Sequence, residues 1–188
     1  IVEEHQCYIQ VVLEEKVQAA DKFIFYDYET YVDENNEHVV ACIIAMYGHN
    51  DEVHKFDDNE SFIDWLFDKK NKRKHREFVV IAHNGGRYDM HLIKREMVQR
   101  KMKCDDVCSG RNIYSSSVPD FCIRLIDSFR FIPIALREFP KTFGIQELSK
   151  GFFPYRFLNR STIDYIGPMP DISYFDFEHQ KCRTRTEG

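Results

Sequence analysis

The residues best able to do chemistry in this 188-residue chain are two carboxylates one residue apart. They are Asp27 and Glu29, in the stretch Phe23-Ile24-Phe25-Tyr26-Asp27-Tyr28-Glu29-Thr30. Apolar and aromatic residues run into them, which reads as a strand over about 22–29. Residues i and i+2 of a strand face the same side, so the two acids project together. Like charges side by side on a hydrophobic strand are costly unless a cation sits between them. Paired carboxylates suit hard divalent ions such as Mg²⁺ or Mn²⁺. The alternative is a strand end whose acids simply reach water, and the motif by itself leaves both open.

A third carboxylate bears on the choice. Phe78-Val79-Val80-Ile81-Ala82 reads as a buried strand, parallel to the first across a helical connection. It delivers the segment Ala82-His83-Asn84-Gly85-Gly86-Arg87-Tyr88-Asp89. A helix is expected from Tyr88 to about Arg100, with Met90, Leu92, Ile93 and Met97 on its inner face. Asp89 then stands one residue into that helix. If the ends of the two strands lie side by side, Asp89 faces Asp27 and Glu29 across a small gap. Three carboxylates so placed can hold two divalent ions about 3.5–4 Å apart, the arrangement used for in-line phosphoryl transfer. His83, at the strand end, reads equally as a substrate contact or as a structural residue.

The elements that must position these groups follow from the pattern. Val39 to Tyr47 is a nearly continuous apolar run, expected to be a central strand, and Glu52 to Phe56 a shorter one. With the first strand they make an antiparallel meander, turned at Asp33 to Glu37 and at Gly48 to Asp51. Phe62, Ile63, Leu66 and Phe67 have helical spacing behind an Asp58 or Asn59 cap. The basic run Lys69 to Arg76 reads as a solvated loop, with phosphate contact as the sharper option. Ile113–Ser117 and Phe121–Ile126 read as a hairpin. A helix from about Pro133 to Phe143 is expected to stop at Gly144. Beyond Ser149 the sequence is aromatic, proline-rich and irregular. The order of strands and helices gives an α/β fold with a mixed sheet and helices on its faces.

Bulk properties exclude some classes. The length fits one domain with a real core. A formal net charge of −5 argues against binding nucleic acid through a global basic field, though not against an enzyme that holds it locally. Six scattered cysteines, without a second pair of zinc spacing beside Cys104 and Cys108, suggest an intracellular, reducing compartment. No stretch has the length and apolarity of a membrane span, and no membrane partner is expected. The chain begins at Ile1 and reads as an excerpt of something longer.

The two acidic segments resemble known motifs. Phe-x-x-Asp-Tyr-Glu-Thr, ending at Thr30, resembles the first motif of the DEDD family of 3′–5′ exonucleases. Ala-His-Asn-Gly-Gly-Arg-Tyr-Asp, ending at Asp89, resembles the second. Together they are similar to the exonuclease domain of protein-primed family B DNA polymerases of the organellar, viral and self-synthesising transposon type. The likeness extends through Cys7 to Gln10, Asp127-Ser128 with Phe131, Pro133 and Leu136, Pro140 to Gly144, Lys150 to Pro154, and Tyr165 to Pro170. It implies a ribonuclease H-like mixed sheet with flanking helices over 22–150, an extension over 1–21 and an irregular segment over 151–188. It implies two-metal hydrolysis, with Mg²⁺ or Mn²⁺, at the 3′ end of single-stranded DNA. Asp27, Glu29 and Asp89 would be metal ligands. Thr30, Asn84, Tyr88 and Ser128 would hold the DNA end, with His83 beside them. Lys150 would support catalysis near the scissile phosphate. The polymerase domain and a terminal protein would be partners in the intact protein.

The pattern departs from the family in one place. The family carries a fourth carboxylate in a Tyr-x-x-x-Asp helix, and no such spacing with Asp follows Pro170. Tyr174 and Glu178 have the spacing with the other acid. Three readings follow: a proofreading exonuclease domain, a polymerase-derived remnant that binds nucleic acid without full catalysis, and a free-standing exonuclease acting on RNA.

Overall fold

The computed structural model describes residues 22–68, 70, 74–145, 154 and 156–175. The first strand, β1 (Phe23–Val32), alternates as a half-covered strand should. Ile24, Tyr26 and Tyr28 are buried on one face, while Phe25 and Asp27 are exposed on the other. It pairs antiparallel with β2 (His38–Tyr47), which pairs antiparallel with the short β3 (Val53–Phe56). That is the expected meander. The apolar run of β2 is covered on one face only. Ala41, Ile43, Ala45 and Tyr47 are buried, while Ile44 remains 38% exposed. A register shift between Glu29 and Thr30 leaves Ala41 of β2 without an opposite residue. The bulge locally increases the twist just past the two acids.

Two helices cover the buried face. Asp58 caps α1 (Asn59–Phe67) by accepting from the Ser61 N–H at 2.7 Å. α2 (Asp89–Gln99) buries Met90, Leu92, Ile93 and Met97, as the periodicity predicts. A relay locks all three elements together. The Tyr28 hydroxyl donates to Asn59 Oδ1 at 2.6 Å, and Asn59 Nδ2 donates to the Leu92 carbonyl at 3.0 Å.

Between these helices runs β4 (Val79–Ala82), parallel to β1 with Phe25 opposite Ile81. The rest of the sheet is β5 (Asp105–Ser109), β6 (Asn112–Val118) and β7 (Ile123–Asp127). The seven strands lie in the order β3-β2-β1-β4-β7-β6-β5. β7 is parallel to β4, with Asp127 opposite Ala82, and antiparallel to β6. β4 and β7 therefore end together, while β1 runs on past them and carries Asp27 and Glu29 just beyond their ends. This is the mixed α/β architecture expected from the element order.

Some details differ from the sequence reading. β5 is exposed along its whole length and has no apolar alternation to betray it. The helix expected over 133–143 is only α3 (Phe139–Phe143), entered through a 3-10 turn, Leu136–Glu138. Pro140, in its first turn, sets its start, and Gly144 at φ 65° ends it. Within the basic run, His75 is buried. Its Nδ1–H donates to the Leu66 carbonyl at 3.1 Å, so its neutral Nε2 accepts from the Tyr47 hydroxyl at 2.6 Å. Burial pushes its pKa down.

Candidate active site at the parallel strand ends

The rim where β4 and β7 end beside β1 gathers the acidic residues. Asp27 and Glu29 lie on β1 on the face away from α1 and α2. Asp89 opens α2, one turn beyond the end of β4. Its side chain is nearly enclosed, and its pKa is raised to about 7. Burial is the largest cause, followed by the negative charges of Asp27, Asp127 and Glu29 in that order. The charges of Asp27 and Glu29 thus reach the buried Asp89, although Asp27 itself is exposed. Among the described residues, no group of three or more His, Cys, Asp or Glu side chains is drawn together closely enough to hold a metal ion. The donor chemistry suits a hard divalent cation, and the raised pKa of Asp89 marks negative charge that such a cation would relieve. A second sign of unmet need is the Tyr26 hydroxyl. It is buried with no hydrogen-bond partner, and its pKa is driven up by burial and then by Asp89.

The turn that carries Asp89 is held by a residue from another strand. Asp127, at the end of β7, is fully buried. Its Oδ1 accepts from the Asn84 N–H at 2.8 Å and from the Phe129 N–H at 3.0 Å, and its Oδ2 from the Gly86 N–H at 3.2 Å. Three backbone donors on one carboxylate fix the path of the segment between β4 and α2. Asn84 takes the left-handed conformation there, φ 64°, which asparagine tolerates. Gly86 has no room for a side chain, because a Cβ would lie 2.0 Å from the Ile113 carbonyl oxygen of β6. The glycine pair is therefore a packing device rather than a phosphate-binding loop.

The other expected contact residues fall into two joined pairs. Thr30 Oγ1 and the Tyr88 hydroxyl are 2.8 Å apart, and the Tyr88 hydroxyl also meets His38 Nδ1 at 2.8 Å. His83 Nε2–H donates to the Ile134 carbonyl at 2.8 Å, and its Nδ1 lies 3.0 Å from Ser128 Oγ. The rings of Phe129 and Phe139 flank His83 with centroids at 5.6 and 5.0 Å. His83 thus fastens the segment after β7 to the end of β4. The Asn84 side chain is exposed at the mouth of the site. Lys150 lies outside the described residues.

Asp127, His38 and Tyr26 carry roles that sequence reading did not give them. The signals for Asp127 are its place in the family likeness and an acid ending a strand whose Ile123 and Leu125 are apolar. A buried acid needs donors, but nothing in the sequence says that they come from residues 84 and 86.

Comparison with known proteins adds an independent line. Residues 69–185 match the family model of DNA polymerase type B, organellar and viral. A probable DNA polymerase of Agaricus bitorquis is 31% identical over 121 residues, which covers 61% of this chain and 15% of that protein. A probable DNA polymerase of Podospora anserina is 30% identical over 117 residues, covering 60% of this chain and 9% of that protein. Among solved structures, Phi29 DNA polymerase complexed with single-stranded DNA shares the fold. It gives a TM-score of 0.57 and 14% identity over 71% of this chain and 25% of that one. Its complex with primer-template DNA gives the same TM-score at 16% identity.

Proposed function

Because this chain belongs to the organellar and viral family of type B DNA polymerases, we propose that it is the 3′–5′ exonuclease module of such a polymerase, serving DNA replication. The substrate is the 3′ end of single-stranded DNA, and the reaction is hydrolysis of the terminal phosphodiester. One observation carries the reading: Asp89 is buried in the field of Asp27, Asp127 and Glu29, where β4 and β7 end beside β1. Open α/β sheets bind their ligands at such a rim.

Asp27, Glu29 and Asp89 would hold Mg²⁺ or Mn²⁺. When bound, the ion supplies Lewis-acid activation of the phosphodiester and of the attacking water. The side chains around it orient the strand. Asn84 offers an amide to sugar or phosphate at the mouth, and the Thr30–Tyr88 pair forms a wall with a fixed ring face. Ser128, whose hydroxyl lies beside His83, would meet the same end. Lys150 would neutralise developing charge. In the whole protein the polymerase domain and a terminal protein are the expected partners.

A second reading, a nucleic-acid-binding remnant, is favoured by the lack of a closed carboxylate cluster among the described residues. Hydrolysis separates the two. A 5′-labelled single-stranded oligonucleotide with Mg²⁺ or Mn²⁺ is expected to yield a ladder shortened from its 3′ end. Asp27→Ala should lower the rate by at least about a hundredfold. Equal rates for the two proteins, or no ladder from either, would leave the binding remnant.

A further inference from the structure

Beside the acidic centre lies a second constellation that none of this chemistry uses. Arg130 lays its guanidinium over the Tyr114 ring, 4.0 Å from the centroid, and Arg87 stands over Phe129 at 5.9 Å. Both arginines are exposed. Arg100 is neutralised by Asp64 and Glu96, and Lys94 by Asp106. Among the described residues, neither Arg87 nor Arg130 takes part in an ion pair. In a chain with net charge −5, two guanidiniums laid over rings beside the acidic centre make a local cationic and aromatic patch.

The patch is also rigid. Arg87 follows Gly86, whose N–H is held by Asp127 and whose Cα packs on the Ile113 carbonyl. Tyr114 follows Ile113. Phe129 gives its own N–H to Asp127, and Arg130 is next to it. All four side chains are therefore within one residue of a pinned backbone position. A guanidinium held over a ring can keep N–H groups outward, where they match phosphate oxygens. Its outer face, with the neighbouring ring, offers a stacking surface to an unpaired base. Phe131, 73% exposed, adds another ring beside them.

We propose that the Arg87–Phe129 and Arg130–Tyr114 pairs form a grip for single-stranded DNA, taking two phosphodiester groups and stacking the bases between them, so that the strand end is led to the acidic rim. The grip rests on the reading of that rim as the place where a strand is cut. Its test is binding without hydrolysis.

Anisotropy of a fluorescein-labelled oligothymidylate is measured against KCl concentration, with EDTA present. The double variant R87A/R130A is expected to bind at least about tenfold more weakly. Its slope of log K against log salt should fall by about 1.4, from two phosphates at about 0.7 each. R87K/R130K should restore the slope but not the full affinity, and it keeps the test valid if the alanine variant unfolds. Tyr114→Leu should weaken binding with the slope unchanged. A fully paired duplex should show none of these differences. The grip is overturned if the wild type does not bind, or if the arginine variants match it in affinity and slope. A wild type that binds through the arginines but never cleaves keeps the grip and removes the exonuclease reading. Cleavage at equal rates by wild type and R87A/R130A does the reverse.

Discussion

Asp89 holds its proton up to about pH 7 because burial and three neighbouring acids disfavour its charge. An unfolded aspartate has a pKa of about 3.9. The folded state therefore binds the proton more tightly, and the stability this confers is full below about pH 3.9 and lost as pH rises through about 7. Three pKa units at about 1.4 kcal/mol each put the loss at no more than about 4 kcal/mol. Asp89→Asn keeps the shape without the charge. Its melting midpoint should exceed that of the wild type at pH 8, by about 2–4 °C for each kcal/mol relieved, and match it near pH 4. The same offset at both pH values would reject this account. Mg²⁺ should raise the midpoint of the wild type and leave that of the variant unmoved. The sequence made Asp27, Glu29 and Asp89 legible because strand period and helix start are local signals. The protonation of Asp89 was not legible, since it depends first on burial and then on charges that the fold gathers from β1 and from Asp127, far along the chain.

At the scale of elements, two contacts decide whether the rim is built. Asp127 accepts three backbone N–H groups from two segments. Asp127→Asn turns one acceptor oxygen into a donor facing an N–H, which leaves a buried group unmet at about 1–3 kcal/mol. We expect that loss in urea titrations, together with faster exchange of the Asn84 and Gly86 amides and a fall in hydrolysis rate. Normal rates with normal amide protection would show that the turn holds itself. The Tyr28–Asn59–Leu92 relay joins strand to helices. Tyr28→Phe strands the Asn59 carbonyl and should cost about 1–2 kcal/mol by the same measurement, with β1 otherwise unchanged. Periodicity disclosed α1, α2 and β1. It missed β5, whose residues face water throughout, and it overran α3, because the prolines at 133 and 140 both suit a helix start. The bulge after Glu29 has no sequence signature, since it depends on how Ala41 is accommodated opposite.

The whole sheet is two local meanders joined along one strand. β1, β2 and β3 come from residues 23–56, and β5, β6 and β7 from residues 105–127. β4 alone connects them, parallel to β1 on one side and to β7 on the other. Hydrogen exchange in low denaturant should reveal two groups of amides, β1–β2 and β6–β7, that open with different denaturant dependence. A single opening shared by all strands would contradict that division. The acidic rim straddles the junction: two carboxylates come from the first meander, Asp127 from the second, and Asp89 from the segment between. Made from its amino end, the chain releases Asp27 and Glu29 from the ribosome about a hundred residues before Asp127. Until the second meander has emerged, the turn bearing Asp89 lacks its clamp, so under the proposed function a nascent chain holds the acids of a nuclease without the means to use them on the nucleic acid around it.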